Sequence, residues 1–371
     1  MKWSLVATQA ELVAALSAIA GADAVAVDTE FMRRNTFFPR IALLQLSAGE
    51  HAILVDPLGL DDTGPIRALF ADPNVVKVLH SASEDLEVFN HWLQLLPEPV
   101  FDTQRAAAFL DRGFGLGYRA LVEAYCGVQL DKGETRSNWL QRPLSNAQCD
   151  YAALDVAYLL PIYYEMRTAI EAEDKLDWVF EDARTAMHTA DSQARDYHLR
   201  IKSAWKLDAR QLAVLRAVCE WREKQAVASD KPRSWIISDA VCLDIARSDD
   251  LDADSLARLP DLSPGAVRRY AEDLLACVRT ARALPDNALP QLPTGPLSAE
   301  QRQRLKALKQ EAKRIARQLG VAPESLLPAK DYEKLLRESV GEQIAVPASW
   351  RGWRQSTVVA PLRDFLAESP A

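Results

Sequence analysis

What this chain of 371 residues has little of narrows it first. No apolar run approaches the roughly 18 residues that a membrane-spanning helix needs, so a membrane-embedded function is not expected. The opening Met1-Lys2-Trp3-Ser4-Leu5 lacks a long apolar stretch followed by a small-residue cleavage site. No secretory signal is therefore expected, and the expected location is cytoplasmic. Cysteine is scarce and scattered, at Cys126, Cys149, Cys219, Cys242 and Cys277, with no C-x-x-C pair. Such spacing reads as reduced thiols, not as a zinc site or a disulfide frame. No G-x-x-x-x-G-K-[ST] string occurs, which disfavours a helicase. Positive charge is also short, and unevenly so. Residues 1–170 carry a net charge of −8, residues 171–285 carry −3 and residues 286–371 carry +3. An acidic first part fits a site that gathers cations, and a basic last part could contact phosphates.

What the chain does have is a set of acids in apolar surroundings. Asp28 and Glu30 lie in Val25-Ala-Val-Asp28-Thr-Glu30-Phe31, which reads as a buried strand. Residues two apart on a strand share a face, so both carboxylates project together. They repel each other, and burying either without a partner is costly or shifts its pKa. A divalent cation removes both penalties. Tyr151 and Asp155 are four apart in an Ala/Leu-rich helical pattern, which puts phenol and carboxylate on one helical face. Asp85 follows Ser81-Ala-Ser83-Glu84 and, read alone, fits a helix start. Hard cations prefer carboxylate oxygens, which suits four acids and no His/Cys cluster. The set points to a metal-dependent hydrolase.

Asp-x-Glu on a strand, then Asp, then Tyr-x-x-x-Asp on a helix resembles the DEDD exonucleases of the RNase H-like superfamily. Tyr151 suits the tyrosine subgroup, because Asp150 stands where the histidine subgroup carries its His. The strings VDTEFMRRNTFFPRIALLQLS from Val27, VLHSASEDLEVF from Val78 and SNWLQRPLSNAQCDYAALDVAYLLPIY from Ser137 are closer still to the ribonuclease D family. The resemblance spans essentially the whole chain. It implies an α/β RNase H-like exonuclease domain, a mixed β-sheet flanked by helices, followed by two small all-α domains of the helicase-and-RNase-D C-terminal (HRDC) type. It implies hydrolysis of phosphodiester bonds from the 3′ end of RNA, with precursor tRNA and other small structured RNAs as substrates and 5′-mononucleotides as products. It also implies two divalent cations per site, Mg²⁺ or Mn²⁺, held by Asp28, Glu30, Asp85 and Asp155, with Tyr151 orienting the attacking water, in a monomeric protein. A DNA-directed 3′–5′ exonuclease and a non-catalytic nucleic-acid scaffold are the competing readings.

Short β-branched runs at Ala24–Val27, Ile41–Leu46, Ala52–Val55 and Val75–Leu79 alternate with helical stretches, as an α/β domain requires. The expected organisation is an exonuclease domain at 1–170, a helical connector at 171–206, a first HRDC domain at 207–285, a Pro-rich linker at 286–296 and a second HRDC domain at 297–371. In the last of these, Arg302, Lys306, Lys309, Lys313 and Arg317 recur at spacings of three and four beside an apolar stripe. A row of cations can track a phosphate backbone, although a merely solvated face has the same pattern. Phe37, Phe38 and Arg40 could stack terminal bases, if the two rings are not core. Gln45 and His80 lie beside the acidic motifs and could assist.

Overall fold

The computed structural model describes residues 1–131, 133, 137–195 and 197–368. The apolar runs of the first part pair into one six-stranded sheet. Its strands are β1 (Lys2–Val6), β2 (Ala24–Met32), β3 (Arg40–Ser47), β4 (His51–Val55), β5 (Val76–Leu79) and β6 (Val100–Asp102), in spatial order β1-β4-β3-β2-β5-β6. β2, β3 and β4 pair antiparallel, while β1 joins β4, and β5 and β6 follow β2, in parallel. The expected runs fall in strands, except that β5 begins at Val76 and not Val75, and β2 continues to Met32. β1 and β6 are additions to the sequence reading. β1 is an edge strand of mixed polarity, and β6 has only three residues, too few to show a period.

Both faces of the sheet are covered, which explains the nearly continuous apolar strands. α1 (Gln9–Ala18), α2 (Gly64–Ala71) and α3 (Ser83–Leu93) pack on the face that receives Val25, Val27, Leu44 and Leu46. α4 (Thr103–Phe109), α5 (Tyr118–Cys126), α6 (Asn146–Ala157) and α7 (Leu159–Ala172) pack on the face of Ala24, Ala26 and Leu54. α8 (Leu176–Arg195) follows. By its internal contacts the chain forms two compact units, one of residues 1–32, 39–188 and 297–371 and one of residues 33–38 and 189–296.

The second unit contains α9 (Tyr197–Arg200), α10 (Ala209–Ser229), α11 (Arg233–Ile236), α12 (Asp239–Arg247), α13 (Ala253–Ala257) and α14 (Pro264–Arg282). Asp208 opens α10 with a capping box closed by Gln211. Leu212, Leu215 and Val218 of α10 meet Val241 and Ile245 of α12 and Leu274 and Val278 of α14. Segment 33–38 belongs here because the Phe37 and Phe38 backbone N–H groups donate to the Asp230 carboxylate at 2.9 and 3.0 Å.

α15 (Ala299–Leu319), α16 (Ala329–Ser339) and α17 (Ala360–Glu368) return to the unit that holds the sheet. A separate module beyond a linker is the sequence expectation. The structure instead gives 297–371 a shared core with α4 and α7. Leu308, Ala312, Ile315 and Ala316 are the buried stripe of α15. Ala322 N–H donates to the Ala108 carbonyl at 2.8 Å, and the Trp178 and Trp353 rings stack with centroids 4.1 Å apart. The buried Lys175 donates to the carbonyls of Phe109 at 3.1 Å and Gly320 at 2.9 Å. These contacts join positions far apart in sequence, so no local pattern announces them.

Candidate active site

Alternation along β2 sends Val25 and Val27 to one face and Asp28 and Glu30 to the other. A register shift between Glu30 and Phe31 bends the strand there. α6 starts at Ser145, whose hydroxyl accepts from Gln148 N–H while the Gln148 side chain accepts from Ser145 N–H. The buried residues facing the sheet include Ala152 and Ala153, and side chains that small let α6 approach β2 and β3 closely. Tyr151 and Asp155, one turn apart, thereby reach the strand acids. Asp28, Glu30 and Asp155 each place one carboxylate oxygen within 4.8 Å of the other two. Asp85 stands outside that triad, buried in the first turn of α3, where it accepts a hydrogen bond from the Thr29 hydroxyl. Thr29 points away from Asp28 and Glu30, so this bond holds α3 against the opposite side of the same strand.

The electrostatics of the four acids have one sign. Burial, followed by the charges of Asp85, Asp155 and Glu30, raises the Asp28 carboxyl well above the usual range. Burial and then Asp155 and Asp85 push Glu30 up to about 9. Burial raises Asp85 and Asp155 as well, against the hydrogen bonds that Thr29 and Tyr151 give them. Among the described residues no Lys or Arg pairs with any of the four. Such a set fits hard divalent cations, because every donor is oxygen and the surplus negative charge has no counterion among the described residues. The Tyr151 hydroxyl donates to Asp155, and burial with the surrounding carboxylates raises its pKa above that of a free tyrosine. It therefore stays protonated at neutral pH.

Gly133, Trp139 and Tyr118 hold this arrangement without having been singled out in the sequence, and His80 had been. A Cβ on Gly133 would come 1.9 Å from Cδ2 of Tyr151, so the bare backbone at 133 leaves the room that the ring occupies. The Trp139 ring lies 6.0 Å from that of Tyr151, tilted by 40°. The Tyr118 hydroxyl donates to the Leu154 carbonyl at 3.0 Å and accepts from Tyr158 N–H at 3.2 Å, fixing the junction of α6 and α7. His80 is half-buried, its Nδ1 lies 2.9 Å from the Thr103 hydroxyl, and burial lowers its pKa.

The remaining candidates divide. Arg302, Lys306, Lys309, Lys313 and Arg317 are all exposed on α15, and Arg40 is exposed at the start of β3. Gln45 does not suit the expected RNA contact, because it has no exposed surface. It lies opposite Asp28 in the β2–β3 register, and neither of its amide atoms has a hydrogen-bond partner. Phe37 also departs from the stacking role, since its ring packs against the core of the second unit with the Arg233 guanidinium 4.6 Å from its centroid. Phe38 is half-buried, edge-on to Phe37.

The chain matches the 3′–5′ exonuclease family over residues 4–171, which contain all five motif positions, and the HRDC domain over residues 211–278. It is 40% identical over 345 residues to ribonuclease D of Pseudomonas paraeruginosa, covering 92% of each chain. To ribonuclease D of Escherichia coli it is 35% identical over 377 aligned positions, covering 100% of each. Its fold superposes on the crystal structure of Escherichia coli RNase D with a TM-score of 0.91 at 34% identity, covering 100% of both chains. That protein is described as an exoribonuclease involved in structured RNA processing.

Proposed function

The chain belongs to the ribonuclease D family of hydrolytic 3′–5′ exoribonucleases, and from that premise we propose that it trims extra 3′ residues from precursor tRNA and other small structured RNAs, one 5′-mononucleotide at a time. The observation that carries the reading is the convergence of the Asp28, Glu30 and Asp155 oxygens within 4.8 Å, with no cationic side chain among the described residues paired to them. The exonuclease fold of this family depends on divalent metal. In this chain Asp28, Glu30 and Asp155 would hold one ion, with Asp28 shared and Asp85 supporting a second. Bound there, Mg²⁺ or Mn²⁺ would offset the carboxylate charges, activate water and stabilise the departing 3′ oxygen. Tyr151 remains a neutral hydroxyl against Asp155, so its part is to orient the attacking water by hydrogen bonding, not to remove its proton.

The exposed cations of α15 extend the same reading. Arg302, Lys306, Lys309, Lys313 and Arg317 would track the RNA backbone, with a salt dependence that grows with each contact. Residues 207–285 and 297–371 would be two HRDC-type modules, the second built onto the catalytic unit, in a monomeric cytoplasmic protein. The test is a titration of divalent metal against shortening of a tRNA with extra 3′ nucleotides, labelled at either end. One-nucleotide steps from the 3′ end alone, lost with chelator, are expected. Brisk degradation of single-stranded DNA with no shortening of the tRNA would overturn the proposal.

A further inference from the structure

Trp235 is 60% exposed, the most exposed large hydrophobic side chain among the described residues. Its neighbours Ile236 and Ile237 are buried, so the short helix α11 and the residue after it turn two apolar side chains inward and leave the largest one out. The Lys231 ammonium stands 5.7 Å from the Trp235 ring centroid. The loop beneath is fixed on every side. Asp230 ends α10 in the left-handed conformation, with φ of 47°, and accepts from Phe37 and Phe38 N–H. Arg233 binds both carboxylate oxygens of Glu223, the second at 2.6 Å, and lies over Phe37. Trp235 and Lys231 are thus presented by a braced loop, while the Phe37 and Arg233 side chains beside them are committed to packing.

We propose that Trp235, with Lys231 beside it, is a stacking platform for an unpaired base of the RNA substrate. Three observations select this occupant. An exposed indole offers a π-face that any unpaired base can cover, whereas bases inside a duplex hide theirs. The residues from 231 to 235, Lys-Pro-Arg-Ser-Trp, contain no acid. Segment 33–38, anchored on Asp230, carries the exposed Arg34 within roughly 11 Å of chain from Phe37, so Lys231 and Arg34 are the cations on hand for a phosphate, Arg233 being taken up by Glu223. The role expected of Phe37 from its sequence context falls instead to Trp235. The proposal rests on the RNA reading of the catalytic unit, but its test does not need catalysis.

Binding of fluorescent unpaired oligoadenylate and of a blunt-ended RNA hairpin would be measured with the full-length protein in chelator. Trp235→Ala should weaken the unpaired RNA by roughly 5- to 100-fold, the span of one lost base stack, and leave the hairpin within about twofold. Trp235→Phe should restore most of the loss. Lys231→Gln should lower the slope of log affinity against log salt by about 0.7 for the unpaired RNA. Wild-type affinity of Trp235→Ala for the unpaired RNA would overturn the proposal, as would an equal loss for both RNAs. Absence of hydrolysis by the wild-type protein with metal would instead sink the catalytic assignment and leave these binding results standing.

Discussion

Two groups of buried carboxylates occupy the same compact unit and could hardly be treated more differently. At Asp182 the acid on α8 is nearly enclosed, and burial alone would raise its pKa. Arg354 and Arg105 reverse that and hold it below the usual carboxylate range. Arg105 Nε donates to it at 2.7 Å, and Arg354, itself buried, donates to the other oxygen and to the carbonyls of Leu326 and Ser325 at 2.6 and 2.9 Å. This site is complete within the chain. Asp28, Glu30, Asp85 and Asp155 are pushed in the opposite direction, with Thr29 and Tyr151 the only side-chain hydrogen-bond donors to them among the described residues. Where a protein supplies its own counterions, a buried acid is part of the scaffold. Where the described residues offer none to four acids at once, the set is suited to a counterion from outside the chain, at a cost to the fold.

The sharpest way to break this contrast is to remove one acid from each group. Asp28→Asn should lower 3′-end trimming by roughly 10³-fold or more, since it takes away the shared electrostatic anchor. The same variant should raise the melting temperature of the chelator-treated protein, because residue 28 then need neither bury a charge nor take up a proton on folding. Full nuclease activity with undiminished metal dependence in this variant would refute the site assignment. Asp182→Asn should do the reverse. Leaving Arg354 buried without its counterion is expected to cost about 3–5 kcal/mol of stability, read by urea unfolding. Activity per folded molecule should stay near wild type at low temperature.

The pH dependence of stability should divide along the same line. A carboxyl whose pKa is raised by folding binds its proton more tightly in the folded state, so its stabilising contribution is whole below about pH 4 and is lost as pH rises through the folded value. For Glu30 that loss extends to about pH 9, and Asp28 is raised in the same direction. Asp182 is lowered, so its contribution is present above about pH 4 and lost as pH falls further. In chelator, the gap in melting temperature between Asp28→Asn and wild type should therefore widen from acid toward pH 9, and added Mg²⁺ should close it. Parallel melting curves across that range would mean that the acids do not interact as the geometry requires.

The acidic cluster was legible in the sequence because each part of the pattern is local. A period of two places Asp28 with Glu30, a period of 3.6 places Tyr151 with Asp155, and their convergence is carried by the motif order. The apolar stripe of α15 was legible for the same reason, and Leu308, Ala312, Ile315 and Ala316 are buried as the spacing requires. What stayed hidden depends on partners far along the chain. Asp182, Arg105 and Arg354 form one ion cluster from three distant helical segments, so the attachment of 297–371 to the catalytic unit could not be read from a Pro-rich stretch before it. Phe37 and Gln45 misled for a related reason. Their sequence neighbours suggested access to substrate, whereas burial is decided by what packs over them.

Gly133 is the smallest of these long-range dependences. Its backbone dihedral is not in the left-handed region, so alanine fits the local chain conformation, and the nearest obstacle is the Tyr151 ring. A methyl group at 133 would sit 1.9 Å from Cδ2 and 2.5 Å from Cε2 of that ring, which must then shift and carry its hydroxyl off Asp155. A displacement of about 1 Å at a positioning group can cost up to about 10²-fold, so Gly133→Ala should lower kcat roughly 10- to 100-fold. KM should change little, because the phosphate and base contacts are untouched. The effect should also vanish where there is no hydroxyl to misplace: in a Tyr151→Phe background the added Gly133→Ala should cost less than about twofold. Multiplicative losses in the double variant would show that residue 133 acts on something other than the tyrosine.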